Sequence, residues 1–294
     1  MKTLHFVMTA FLAISFSSPL ETAAQEAPTA SGQAVTVTYL GCAGFLLETG
    51  SQKVLIDGVF TANGVRGFIT PAADTLEKIR TAAAPFDKID LFLVGHAHED
   101  HFDAAITDAC MTVNKTAKLI CPQEVASKLT ELSGNHYASY KDRIVIPTLT
   151  DLQSLDTKVN NIDIQITKFP AFSYHANGVI VFNIKLAGMN IFHLMGTLLP
   201  VEVYSSKAFQ DRRADLLLVT AKYLEGSTSI FENNLPFKMA FVHHIYRYTT
   251  AMDSYLTKCK QLTENGRKTY VLQAVMEKHT FIKTGDQLLM DTTK

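Results

Sequence analysis

The sequence has no excess of either charge: 27 lysines and arginines stand against 28 aspartates and glutamates, a formal net charge of -1. The basic residues are scattered, so there is no stripe to neutralise nucleic-acid phosphates, and no nucleic-acid partner is expected. Linkers rich in proline, glycine or serine are missing from the interior, which points to one domain over most of the 294 residues. Cysteine is scarce as well. Cys42, Cys110, Cys121 and Cys259 are too widely spaced for a zinc knuckle or a C-x-x-C redox motif. Four buried thiols are expected, with a Cys110 to Cys121 bridge as the alternative open to an exported protein. The apolar run at the N-terminus, Leu4 to Phe16, falls short of the roughly 20 residues that span a bilayer. With Lys2 before it and the small, polar stretch Ser17 to Ala24 behind it, residues 1–24 read as a secretory signal and residues 25–34 as a polar lead-in. An exported protein, periplasmic or secreted, with no stable membrane anchor, is the expectation.

What is present is a large core. Apolar residues make up 47% of the chain and charged residues 19%, which excludes disorder. Val35 to Gly41, Phe45 to Thr49 and Lys53 to Val59 are short β-rich runs with glycine-containing turns, predicting an antiparallel meander. Lys88 to Gly95 is a strand. Helices are predicted over Thr75 to Ala84, Asp103 to Met111, Pro122 to Leu132 and Met252 to Thr263, with a strand at Lys118 to Cys121. Further strands are predicted at Arg143 to Pro147, Ile162 to Phe169, Val179 to Leu186, Asn190 to Leu194, Asp215 to Thr220 and Met239 to His243, with Thr269 to Val275 closing the core. Strands first, then alternating strands and helices, occur in each half. The economical architecture is α/β, two mixed β-sheets face to face with helices outside.

The chemistry concentrates at His96 to His101, which spells H-x-H-x-D-H directly after an apolar strand. Residues two apart on extended chain point the same way, so His96 and His98 can grip one cation while Asp100 and His101 face a second. A merely solvated histidine loop would crowd three imidazoles that repel one another as they charge. A divalent metal is the simpler reading.

From about Val35 to Leu289 the chain resembles the metallo-beta-lactamase superfamily, whose fold is a four-layer αβ/βα sandwich. The likeness rests on Tyr39 to Leu47 followed by Leu55-Ile56-Asp57, on the His96 to His101 motif, on Phe169-Pro170-Ala171 leading to His175 and the hairpin Val179 to Phe192, and on Ala240 to His244. The resemblance implies one metal on His96, His98 and His175, and a second on Asp100, His101 and His244. It implies one or two zinc ions, a zinc-activated water oriented by Asp100 as the catalytic residue, and a small ester, lactone, amide or phosphoester as substrate. The wording of the motif is closest to the lactonase-like and phospholipase-like branch. Tyr174, Tyr246 and Arg247 flank the ligands and are weaker candidates for substrate binding. Phe60 to Ala72 and Tyr223 to Pro236 are the irregular stretches expected to frame a pocket. The family's bridging aspartate is missing: His193-Leu194-Met195-Gly196-Thr197 puts Gly196 or Thr197 at that position, which weakens the second site. His193 is expected to pack rather than ligate, His243 and His244 point to opposite faces so that only one can serve, and His136 and His279 are expected at the surface or behind the ligands. The alternative to a hydrolase is a non-catalytic, metal-binding protein on the same scaffold. Oligomeric state is not legible.

Overall fold

Alternation of inward and outward apolar residues builds two sheets, and its parity decides what each side chain touches. In the computed structural model the described residues are 34–61, 67–132, 134–171, 175–196, 203, 205, 206, 209, 212–225, 235–246 and 250–291. The signal and almost all of the lead-in expected at residues 1–34 lie outside them. The contact-defined unit Gly32–Lys294 contains every element below.

The first sheet combines β1 (Ala34–Gly41), β2 (Gly44–Glu48), β3 (Lys53–Ile56), β4 (Leu91–Leu93), β5 (Lys118–Ile120) and β6 (Ile144–Val145) with two strands from the end of the chain, β14 (Lys278–Thr284) and β15 (Gln287–Asp291). Its order is β15-β14-β1-β2-β3-β4-β5-β6. The second sheet runs β13-β12-β11-β10-β9-β8-β7, from β7 (Ser154–Val159), β8 (Ile162–Phe169), β9 (Val179–Leu186), β10 (Met189–His193), β11 (Ala214–Thr220), β12 (Phe237–His243) and β13 (Lys268–Val271). Each sheet mixes antiparallel hairpins with a parallel block: β3 to β6 in the first, β10 to β13 in the second. Parallel strands buried on both faces need unbroken apolar sequence, and Ala214–Thr220 is buried at every position.

Val35, Val37, Tyr39, Val54, Ile56, Leu91 and Leu93 of the first sheet share one core with Ile164, Ile166, Phe182, Ile191 and Leu217 of the second. The residues between them on the same strands, Leu40, Leu46, Leu55 and Phe92, face the other way. They pack against Ile79 of α1 (Ala73–Thr81), Cys110 of α2 (Ala104–Val113) and Leu129 of α3 (Gln123–Glu131). Period-2 alternation thus stacks helices on sheet on sheet. On the far side, α4 (Met252–Glu264) contributes Tyr255 and Cys259 to the core it shares with β11 to β13. Cutting Phe92 back to alanine would remove about 3–5 kcal/mol, the usual cost of emptying such a site. All four cysteines are free and buried, so the Cys110 to Cys121 bridge is not formed.

Three differences from the sequence expectation matter. The strand expected over Thr269 to Val275 ends at Val271. The chain then returns to the first sheet, where β14 pairs with β1 in the register Ala34 to Ile282 and Thr38 to Lys278. The strand β7, not expected at all, edges the second sheet.

Candidate metal centre

The polar residues collect where strands end. Asp57 follows β3, His96 follows β4, Gly196 follows β10 and His244 follows β12, all at the carboxyl ends of parallel strands, where ligands bind in open α/β sheets. His175 comes from the connection between β8 and β9, and Cys42 from the turn between β1 and β2.

His96 is reached through Gly95. A Cβ at Gly95 would stand 2.0 Å from the Met195 sulfur and 2.9 Å from the Ile180 carbonyl oxygen, so only glycine lets the chain pass between them. Its amide donates to Asp57 Oδ1 at 3.0 Å. The loop then closes by amides of His101 and Phe102 donating to the His98 carbonyl, and Asp103 caps α2 by accepting from the Ile106 amide at 2.9 Å.

Two groups of potential ligands result. In the first, His96, His98 and His175 bring one ring nitrogen each within 4.8 Å of the others. Their ring centroids are 4.5 to 4.7 Å apart. His96 is 4% exposed, and neither of its ring nitrogens has a hydrogen-bond partner among the described residues. An imidazole left this way costs about 1–3 kcal/mol, a penalty that a cation would remove; His243 is left the same way, but only His96 has two further imidazoles grouped with it. Burial and then the neighbouring imidazoles push His96 well below its ordinary pKa and His175 down to about 4. Both are neutral at pH 7, with a lone pair to offer a cation.

The second group is Cys42, Asp100, His101 and His244. Asp100 Oδ2 lies 3.1 Å from His244 Nε2 and 3.7 Å from both His101 Nε2 and Cys42 Sγ. Burial opposes the Asp100 charge, but His101 and His244 outweigh it and hold the carboxyl well below the usual range. His101 donates from Nδ1 to Asp57 Oδ2 at 2.8 Å, which turns Nε2 toward the cluster. Burial resists its charge, while Asp57 and Asp100 raise its pKa overall. The two groups adjoin, with the His96 and His101 rings 4.0 Å apart.

His244 rather than His243 reaches the cluster. Its φ is 60°, its amide donates to the Cys42 carbonyl at 2.8 Å, and its ring packs 4.1 Å from Phe68. His243 turns the other way and stacks on His193, with ring centroids 5.3 Å apart. His193 donates from Nε2 to the Ala43 carbonyl at 2.9 Å and belongs to neither ligand group. Tyr246 is half exposed and stacks on Phe68, one ring away from His244. Tyr174, Thr197 and Arg247 lie outside the described residues. His136 donates to Asp108 and His279 to Glu277, both apart from the ligand groups.

The sequence reading gave no role at the metal centre to Asp57, which it quoted only as part of the resemblance, to Cys42, expected as a buried thiol, or to Phe68, within the stretch expected to frame a pocket. Asp57 had a signal: a carboxylate at the end of an apolar strand beside the one that delivers the histidines. Cys42 had none beyond its place between glycines in a tight turn.

Residues 36–230 match the profile of the beta-lactamase superfamily domain. The chain belongs to the metallo-beta-lactamase superfamily. A protein described as a metal-dependent hydrolase from Pyrococcus furiosus is 30% identical over 167 residues, covering 54% of this chain and 60% of the relative. The match therefore spans less than two thirds of that relative's length. A metallo hydrolase from the archaeon Ignicoccus hospitalis has the same fold, with a TM-score of 0.59 at 18% identity over 85% of this chain and 100% of the other. The metallo-beta-lactamase fold protein YhfI from Bacillus subtilis has a TM-score of 0.53 at 14% identity, over 84% and 99%.

In this superfamily member a cavity of about 680 Å³ opens beside His96. It is walled by Gln123, Glu124 and Ser127 of α3, by Ile146, Pro147 and Leu149, and by the hairpin positions Asn177 to Ile180. Among the described residues of the two stretches expected to frame a pocket, none lines this cavity. Phe68, from the first of them, covers His244 instead.

Proposed function

We propose that the protein is a metal-dependent hydrolase that acts on a small molecule, an ester, lactone, amide or phosphoester, outside the cytoplasm. The reading rests on His96, a buried imidazole with no hydrogen-bonding partner for either nitrogen, ringed by His98 and His175 and open to the cavity. Three imidazoles with room for a further ligand suit a catalytic zinc. Zinc held by them supplies a Lewis acid and a water acidified to a pKa near 7. Asp100 Oδ2 faces His244, His101 and Cys42 of the second ligand group; its carboxylate would orient the attacking water by accepting its hydrogen bond and would take its proton. Asp57 fixes the His101 ring, so that Nε2 faces that same space. The cavity is of the size that encloses a small ligand, and its walls mix apolar Ile146, Leu149, Val179 and Ile180 with polar Gln123 and Asn177. Such walls surround an apolar acyl or alkyl group and leave a few donors to hold the reacting end.

The absence of a side chain at Gly196 favours one rival, a metal-binding protein without turnover. The two separate in one experiment. Purified chain loaded with zinc is assayed on lactones, beta-lactams, phosphodiesters and thioesters, with and without a chelator. Turnover that chelator abolishes and zinc restores supports the hydrolase. Full zinc content with no turnover on any class supports the rival.

A further inference from the structure

The second ligand group contains a residue that the superfamily resemblance did not supply. We propose that Cys42 is a ligand of the second cation, its sulfur completing a set with Asp100, His101 and His244 in place of the missing bridging carboxylate. The proposal rests on the reading of the centre as a metal site.

Three observations converge on it. The first is spacing. Two light atoms each about 2.1 Å from a tetrahedral ion stand about 3.4 Å apart, and a sulfur at about 2.3 Å stands about 3.6 Å from either. Around Asp100 Oδ2 the separations are 3.1 Å to His244 Nε2, 3.7 Å to His101 Nε2 and 3.7 Å to Cys42 Sγ. They match three of the six edges of such a coordination figure, and the remaining ligand atoms lie within 4.8 Å of one another. The second is the place of Gly196. A Cβ there would fall 2.2 Å from His244 Nε2 and 3.0 Å from His101 Nε2, so the two imidazole rings themselves occupy the space where a bridging side chain would start. An aspartate at 196 would displace His244, which leaves Cys42 Sγ as the fourth potential ligand atom grouped with Asp100, His101 and His244 among the described residues. The third is the rigidity of the sulfur's support. The Cys42 amide donates to the Ile69 carbonyl at 2.8 Å, and its carbonyl accepts from the His244 amide at 2.8 Å and from the Tyr39 hydroxyl at 3.2 Å. The residue is fully buried with Phe60 and Phe68 around it. A side chain fixed from both flanks of its backbone, aimed at a carboxylate and two imidazoles, is arranged as a preorganised ligand is.

On binding, the thiol proton leaves to solvent and the sulfur lone pair is given to the cation, so the site gains one negative charge that a bridging aspartate would otherwise have brought. A sulfur ligand also biases the site toward zinc or cobalt over magnesium or manganese. Cys110, Cys121 and Cys259 belong to neither ligand group, so a metal-thiolate signal has one source among the described residues.

The test uses full-length protein loaded with cobalt(II) and, separately, with zinc(II). Cobalt-loaded wild type is expected to show a thiolate-to-cobalt charge-transfer band in the near ultraviolet, which Cys42→Ser lacks. Zinc X-ray absorption on wild type should reveal a sulfur neighbour at about 2.3 Å. This second measurement needs no variant and decides the matter even if Cys42→Ser fails to fold. Cys42→Ser should hold the second ion at least about tenfold more weakly, the lower end of what outer-shell partners alone contribute, and keep the first. Two bound ions with no sulfur neighbour and no charge-transfer band overturn the assignment of Cys42 while leaving the first site standing. Failure to bind either metal overturns both this assignment and the proposed function.

Discussion

His193 should make the metal-free protein sensitive to mild acid, by an amount that can be worked out. Its ring is wholly buried between His243 and the edge of Phe45, with one nitrogen committed to the Ala43 carbonyl. Burial, reinforced by His101 and His244 and opposed by Asp57, pushes its pKa down to about 4. In the unfolded chain a histidine titrates near 6.5. Between these values the unfolded state carries the extra proton, so stability rises with pH. The contribution is complete above about pH 6.5 and is lost as the pH falls toward 4. A shift of about 2.5 units at about 1.36 kcal/mol each gives about 3 kcal/mol in all, of which about 2 kcal/mol is gone by pH 5. His193→Gln keeps an N–H donor for Ala43 and removes the titration. Urea unfolding with chelator present, at pH 7 and at pH 5, should show wild type losing about 2 kcal/mol more than the variant. His243 stacks on His193 and its pKa is lowered partly by that ring, so a share of its own acid sensitivity goes with the substitution and adds to the difference. Equal losses would refute the reasoning, since the low pKa would then carry no free energy of folding.

Other outcomes follow from the same geometry. His96→Ala should empty the first site and abolish any metal-dependent hydrolysis, read by elemental analysis beside the assay; an undiminished metal content would place the ion elsewhere. Gly196→Ala sets a carbon against the His244 ring and should cost the second ion while sparing the first, so a variant that still binds two ions would show that His244 is not a ligand. Asp57→Asn removes the carboxylate that fixes His101 and should weaken the second site by about 10- to 100-fold in a competition titration with a chromophoric chelator. If the N-terminal segment is a cleaved signal, sequencing of exported protein should begin near Gln25; a product that keeps Met1 would remove that proposal.

The layers and the histidine cluster were legible because both rest on alternation. Val54 and Ile56 face one way and Leu55 the other, and the same parity sends His96 and His98 to one side and separates His243 from His244. What was missed lacked an apolar signature. Ser154–Val159 has no fully buried residue, Lys278–Thr284 has one and Gln287–Asp291 has one. These are peripheral strands of their sheets, whose partner is chosen by backbone pairing rather than by a hydrophobic face. Cys42 stayed hidden for a different reason. Its φ of 45° and its direction come from contacts with Ile69 and with His244, residues far along the chain, and no local pattern announces them.

Five buried or nearly buried histidines meet in one region, and what their nitrogens touch sorts them. His101 gives Nδ1 to Asp57 and keeps Nε2 for the cluster; His193 gives Nε2 to a backbone carbonyl and turns its ring to His243. A carboxylate partner raises the electron density of the remaining nitrogen and suits it to a cation, whereas a neutral carbonyl between aromatic rings favours an uncharged, packed imidazole. The second hydrogen bond thus separates His101 from His193, while His96 is marked by having no partner at either nitrogen. By that criterion Asp57 is as much a part of the centre as the histidine it holds, and replacing it should loosen the second ion without touching any atom that binds it.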